Sequence, residues 1–462
     1  MNDETHSRWA DLWAPDMVFA TVTVSLGVAL FAFNAFVVAI AVPLAVAEFG
    51  GGRFLAWATA LYLILSILSG SASAMLMQRL GARRLFLLAG GVFLAGTLLA
   101  VTARGMEVLL AGRALQGLGA GAIEAGCYVL IPRLFPSRLI PKVFGVEAVA
   151  WAVAAFGGPA VAGLLAQAFS WRTALGVSIP LALVFLALVP RVVPSGRGEG
   201  VPPRLPLAAL MIVTAGMTLV LVADGVAGLG LRFACLFAGF ALFVAVVRLD
   251  GFGKVRLLPA TAFRLNNPVG LGLWVALLMP LSEAAQGVFV TYALQQLWHY
   301  APLASGMAGM VLALSWSTVQ AATAHRALPR RGLILAGTAL LVAGQAMSAL
   351  AFGLGSAVLL FLSQAVVGAA FGAAWGALSQ VVMEAAPQAD RDVTAGLLPV
   401  VLSAGYGIGA ALLGLIANAL GFAGAQGEDL RRVLVAVFAV AGVLALAGLA
   451  AALRLRRLTA PN

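Results

Sequence analysis

Residues 113–121 read Arg113-Ala114-Leu115-Gln116-Gly117-Leu118-Gly119-Ala120-Gly121, and they lie inside an apolar run over about 106–131. A guanidinium in the middle of such a run costs at least about 2.5–3.5 kcal/mol if the run crosses a bilayer. Arg113 must therefore face a cavity or a partner, or bond backbone carbonyls near the end of the run. The glycines that follow it leave a smooth surface on which a second helix can pack closely. The run itself is long enough to span, since a transmembrane helix needs about 20 mostly apolar residues.

Working outward, fourteen runs of this kind, this one included, follow one another along the chain. Six precede the first polar linker, at about 18–46, 54–78, 85–103, 106–131, 142–168 and 171–190. Two lie between linkers, at about 205–223 and 228–248. Six close the chain, at about 268–295, 302–323, 332–352, 355–384, 393–421 and 432–453. The expected fold is an all-α polytopic membrane protein with fourteen transmembrane helices. A short polar N-terminus (1–16) leads into a six-helix bundle (17–190) and a linker (191–204). Two extra helices (205–248), a second linker (249–267), a second six-helix bundle (268–453) and a tail (454–462) follow. The first sixteen residues have no basic stretch before a short apolar core, so they do not read as a signal peptide.

Composition agrees. The chain has 462 residues, 62% hydrophobic and 10% charged, with a mean hydropathy of +1.04. A soluble domain carries about 25% charged residues, so a water-soluble enzyme, a disordered chain and a disulfide scaffold are excluded. The net charge of +11 comes from basic loops and a shortage of acids, and no basic patch interleaved with aromatics suggests nucleic acid. With the N-terminus placed in the cytoplasm, the inner segments hold 21 Lys and Arg against six in the outer loops, leaving Arg113 in a span. That bias sets orientation and requires an even number of spans. Cys127 and Cys235 lie in apolar stretches and read as neither disulfide nor metal ligands. His6, His299 and His325 are far apart, and no phosphate-binding loop occurs. No metal, cofactor or ATP drive is expected.

Two six-helix bundles, each with a basic loop after its second helix, resemble the major facilitator superfamily. The loops read Gln78-Arg79-Leu80-Gly81-Ala82-Arg83-Arg84 and His325-Arg326-Ala327-Leu328-Pro329-Arg330-Arg331. The stretch from Arg113 is similar to the family's R-x-x-Q-G-x-G motif. Gly158-Pro159-Ala160-Val161-Ala162-Gly163 is similar to the motif of its exporters. Ser170-Trp171-Arg172 opens span 6, and Leu294-Gln295-Gln296 with Tyr300-Ala301-Pro302 matches a further family habit. The two central helices resemble the fourteen-helix drug:proton antiporter branch. Two positions depart from that pattern. Gln78 stands where an acid usually joins a network latching the bundles, and Asn34 stands where span 1 usually carries an Asp. The resemblance implies gating roles for Arg79, Gly81, Arg83, Arg84, Gly117, Gly158, Pro159 and Gly163. Losing the span 1 acid puts a preference for cations in question.

The residues themselves nominate a site. Gly158 and Ala162 share a helix face, and Pro159 removes one backbone hydrogen bond, so a dry, kinked seam is expected there. Glu124, Glu147 and Glu283 sit inside spans. A carboxyl that gives and takes a proton on whichever side it faces is what a proton-coupled carrier needs. These three acids and Arg113 are the proton-coupling candidates. Glu124 is three turns from Arg113 on one face, about 16 Å away. Glu147 follows Lys142 by one turn and could instead lie at the interface, and Asp224 and Glu384 sit at span ends. Substrate-cavity candidates are Asn34, Tyr62, Gln116, Trp151, Gln286, Trp316, Gln364, Trp375 and Tyr406. Aromatic rings offer loose apolar contacts, and a buried amide needs a partner.

The function so implied is secondary-active, proton-coupled antiport: multidrug efflux of lipophilic small molecules across the bacterial inner membrane. The protein would act as a monomer with both termini cytoplasmic. The alternatives are a dedicated exporter of one metabolite, lipid or neutral or anionic compound, and a membrane receptor or enzyme that does not transport.

Overall fold

The computed structural model describes residues 9–15, 17–136, 139–196, 207–223, 226, 228–250, 261–324, 329–387 and 391–458. His6, Asp224, His325 and Arg326, together with the counted cations Arg8, Arg138, Arg197, Arg204, Lys254 and Arg256, lie outside the described residues. So do 197–206 and 251–260 of the two linkers. Among the described residues every regular element is helical. The first part of the chain forms α1 (Val18–Phe49), α2 (Leu55–Leu80), α3 (Ala82–Val101), α4 (Met106–Leu134), α5 (Ile140–Ala168), α6 (Trp171–Gly176) and α7 (Ser178–Val192). Two central helices follow, α8 (Leu207–Val222) and α9 (Leu229–Asp250). The last part forms α10 (Pro268–Ala285), a π-helical turn (Gln286–Val290), α11 (Thr291–Leu297), α12 (Pro302–Ala324), α13 (Arg330–Leu354), α14 (Ala357–Ala385), α15 (Arg391–Ala419) and α16 (Gly427–Leu458).

Twelve stretches among the described residues are long and apolar enough to cross a membrane. They correspond to the twelve expected outside the central pair. α6 and α7 together make one of them, and α10 runs through the π turn into α11 to make another. The central pair is helical where expected, with α9 packed on α8 and α8 packed on both α2 and α15. α8 therefore touches both halves of the molecule, with α9 packed against it.

The cores explain the shape. At the end opposite the termini, one apolar core joins both halves. It includes Val37, Ile40, Ala41 and Ala45 of α1, Ala58 of α2, Ala162 of α5, Phe289 of the π turn, Ala308 of α12 and Ala410 of α15. At the end bearing the termini, the halves have separate cores. One gathers Val24, Phe86, Ile123 and Phe185. The other gathers Leu271, Phe371, Leu378 and Val401. The halves are thus fused at one end and individually packed at the other.

The halves also repeat each other. Counted from their first residues, Arg113, Gly117, Gly121 and Glu124 of α4 match Gln364, Gly368, Gly372 and Trp375 of α14. A Cβ on Gly117 or Gly121 would run into the carbonyls of Tyr62 and Ser66 on α2. One on Gly368 or Gly372 would run into those of Leu312 and Trp316 on α12. Backbone-to-backbone packing of this kind needs glycine.

The turn between α2 and α3 rests on Gly81, whose φ of 87° and ψ of 149° are open only to glycine. A side chain of residues elsewhere in such a conformation costs about 1–3 kcal/mol. Gly81→Ala is expected to lower stability by that amount, read as a lower Tm of the detergent-solubilised protein.

Candidate functional site: a buried guanidinium node, a facing wall and an unpartnered carboxyl

Arg113 is fully buried on α4 and is held from three helices. Its Nε donates to the Ala58 carbonyl of α2 at 3.1 Å. Its Nη1 donates to Oδ1 of Asn34 on α1 and, at 2.7 Å, to Oε1 of Gln116 one turn along α4. Gln116 in turn donates to the Thr97 hydroxyl of α3 at 3.0 Å. The Tyr62 ring lies under the guanidinium, 4.2 Å from ring centre to Cζ, and the Tyr62 hydroxyl donates to the Phe31 carbonyl at 3.2 Å. So Asn34, Tyr62, Gln116 and Arg113 come together. Sequence reasoning expected the first three on the cavity wall. All are buried, at 0%, 1% and 0% exposure, and form the setting of Arg113 instead. Arg113 finds a backbone carbonyl, as one reading allowed, and also side-chain partners.

Glu124 lies further along α4 and keeps part of its surface accessible. Among the described residues its carboxyl has no hydrogen-bond partner. Nearby, Trp151 of α5 is bonded to Tyr128 and stacks at an angle on Phe31, with ring centres 5.9 Å apart. Glu147 is 2% exposed, and one oxygen accepts from the Ser25 hydroxyl at 2.9 Å. Its other oxygen is buried without a partner. Ser25 carried no signal in the sequence, because its partner is 122 residues away.

In the second half, Glu283 of α10 is 8% exposed and has no hydrogen-bond partner among the described residues. The π turn begins three residues later, at Gln286. Such turns widen a helix and recur at functional sites. Pro280 inside α10 and Gly287 inside the turn are the sequence signals that accompany it. Across the same half, Trp316, Phe371 and Tyr406 form a row, with centres 4.8 Å and 6.5 Å apart along it. Trp316, Trp375 and Tyr406 each keep some accessible surface.

Gln286 and Gln364 are placed differently from the expectation that they line a cavity. Both are buried, at 3% and 2% exposure, in a knot that ties α10, α13, α14 and α16 together. Gln364 donates to Gln286 Oε1 at 2.6 Å, and Gln286 donates to Gln345 and Ser348 at 3.1 and 3.0 Å. Gln345 donates to the Ser282 carbonyl and hydroxyl at 2.9 and 3.0 Å, and the Ser282 hydroxyl reaches the Ala441 carbonyl at 2.8 Å. This knot is the neutral counterpart of the Arg113 node, with Gln364 at the position of Arg113. Removing one member strands several buried polar atoms at about 1–3 kcal/mol each. Gln345→Leu is expected to lose about 2–4 kcal/mol, seen as a large drop in Tm.

The motif residues divide into two groups. Gly158, Pro159 and Gly163 lie where α5 meets its neighbours at the fused end. Gly158 packs on Phe36 of α1, and a Cβ on Gly163 would lie 2.5 Å from Leu303 Cα of α12, in the other half. Arg83 donates to the Val193 carbonyl past the end of α7 at 2.8 Å, while Arg79 and Arg84 are exposed and form no ion pair among the described residues. Arg330 pairs with Glu384 at 2.5 Å in the equivalent loop. Glu48 had gone unremarked in the sequence. It accepts from both Trp171 (2.7 Å) and Arg172 (2.7 and 2.8 Å), fastening α1 to α6.

A two-halved helical bundle, fused at one end and holding ionisable groups and rings within its spans, is the architecture of a multi-pass membrane carrier. The chain belongs to the Major Facilitator Superfamily, whose sequence profile matches residues 24–327. It is 31% identical over 419 residues to a probable multidrug-efflux transporter of Mycobacterium tuberculosis, covering 86% of this chain and 87% of that protein. It is 23% identical over 440 residues to an uncharacterised transporter of Escherichia coli, covering 92% and 94%. Among solved structures, a peptide transporter, POT, in a mutant form superposes with a TM-score of 0.69. The match is at 18% identity and covers 96% of this chain and 95% of that one. That likeness concerns the fold.

Proposed function

We propose that this transporter exports lipophilic small molecules from the bacterial cytoplasm in exchange for protons, by alternating access. The observation that carries the reading is the asymmetry of the cores: one shared core at one end, two separate cores at the other. Two bodies packed in this way can rock about their midplane. The exporter-type motif sits in the fused end, where tight packing closes one side. The excess of Lys and Arg on the side of the termini supports a cytoplasmic position for both, with the separate cores on that same side. The central pair α8 and α9 brings the count to fourteen spans, and the protein acts as a monomer. Glu283, Glu124 and Glu147 are the groups able to carry the proton. Trp151, Trp316, Trp375 and Tyr406 offer rings to an apolar cargo.

The test is uptake into inside-out proteoliposomes with an acid interior, using a panel of cationic and neutral dyes. Uptake that follows the pH gradient and collapses with a protonophore is the expected result. No uptake of any dye by folded, inserted protein would count against multidrug export. A second reading, a dedicated exporter of a neutral or anionic compound, draws support from the neutral Asn34 beside Arg113.

A further inference from the structure

Arg113 is a buried cation with no carboxylate in its setting. Every group that accepts from it is neutral: the Ala58 carbonyl, Asn34 Oδ1 and Gln116 Oε1. Arginine stays protonated in proteins, and a buried charge needs a compensating one. Two donors of the same node also lack any acceptor among the described residues. They are Arg113 Nη2 and Asn34 Nδ2, on side chains that are both 0% exposed. Asn34 and Arg113 are bonded to each other, so these two free N–H groups belong to one small region between α1 and α4. An acceptor, and a negative one, is what the region lacks. The pseudo-equivalent knot around Gln364 gives the contrast. There the arginine position is a neutral amide, and no side-chain nitrogen or oxygen of Gln286, Gln345 or Gln364 is left buried without a partner.

We propose that Arg113 Nη2 and Asn34 Nδ2 form a binding site for one small monovalent anion, either a halide ion or a carboxylate group. The two donors grip it, and its charge balances the guanidinium. Charge-assisted hydrogen bonds of this type are short and strong. A carboxylate can come from the medium or from cargo. Only the cargo version rests on the export reading, because binding to purified protein needs no transport.

The experiment is thermal unfolding of the full chain in detergent, with the sodium salt of a bulky sulfonate (HEPES), neither halide nor carboxylate, exchanged for chloride, acetate or benzoate at constant ionic strength. A ligand that binds only the folded state raises Tm. The expected result is a saturable rise of at least about 2 °C in wild type. Asn34→Asp, which builds a fixed carboxylate beside the guanidinium, is expected to raise Tm without any added anion and to abolish the response. A response to chloride alone identifies an inorganic ion. A response to benzoate that chloride competes away identifies a carboxylate site open to organic anions. Transport is then measured separately, so a Tm response in a protein that moves no dye leaves the site standing and removes only the export reading. Two outcomes overturn the proposal. One is a wild type indifferent to all three anions. The other is an Asn34→Asp variant that keeps the full response, which would place the anion elsewhere.

Discussion

Gly163→Val is expected to reduce transport at least tenfold while the protein still folds and inserts. Gly163 is buried on α5 against the other half of the molecule, and even a Cβ there would lie 2.5 Å from Leu303 Cα and 2.9 Å from its amide nitrogen. Those are backbone atoms, so no side chain can turn aside to make room. Forcing extra methyl groups into packed space costs about 1–3 kcal/mol. The cost falls only on the arrangement in which α5 and α12 touch. It therefore shifts the balance between the fused-end-closed and fused-end-open arrangements by a factor of roughly 5–150. Each half keeps its own core, so folding is spared. Two measurements check this: uptake into proteoliposomes, and thiol labelling of Ala308→Cys, which lies in the joint core at 1% exposure. The variant should label faster than its parent at this position. Unchanged labelling together with unchanged uptake would show that the α5–α12 seam does not gate.

Glu283→Gln is expected to remove most of the gradient-driven uptake, again at least tenfold, with little loss of stability. The glutamine keeps the size of the side chain. No hydrogen bond among the described residues is lost, because the Glu283 carboxyl has none there. An uncharged amide in place of a buried carboxyl of the same shape removes no partner, so the fold is expected to be kept, read as a Tm close to that of the parent. What is lost is the ability to bind and release a proton, since an amide cannot do so. Position is as important as chemistry: Glu283 comes just before the π turn, whose Phe289 belongs to the joint core. A proton held there can be coupled to how the halves meet. Retained gradient-driven uptake in Glu283→Gln would move the coupling role to Glu124 or Glu147, and the same assay on Glu124→Gln and Glu147→Gln would separate those two.

Much of the fold was legible from local pattern. Long apolar runs, their punctuation by Gly, Pro and Arg, and the spacing of Gly117 and Gly121 follow from what a bilayer demands of a helix. Those features carried the resemblance that the family profile and the relatives then bore out. The candidate site was legible in its membership and less so in its arrangement. Arg113 was singled out as a proton-coupling candidate and Asn34, Gln116 and Tyr62 as substrate-cavity candidates, yet not as one buried node. Gln364 was noticed as an amide needing a partner and Gln286 as a cavity candidate beside Glu283, but Gln345 and Ser348, which join them, carried no signal. Helices that are apolar all round give no stripe to say which face is inward, so the orientation of a polar residue on such a helix is invisible in the sequence.

The sequence by itself determined the helical architecture, the twelve long apolar stretches, the two central helices, the paired basic loops and the positions of every intramembrane charge. Each of these depends on neighbours within one helix or one loop. Only the tertiary structure decided which polar groups meet. Asn34 and Arg113 are 79 residues apart, Ser25 and Glu147 122, and Ser282 and Ala441 159. It also decided that Gly163 faces the opposite half and that the cores merge at one end alone. The physical reason is that inside an apolar bundle a polar atom is satisfied by whatever partner the packing brings within about 3 Å, and packing is a property of all the helices together.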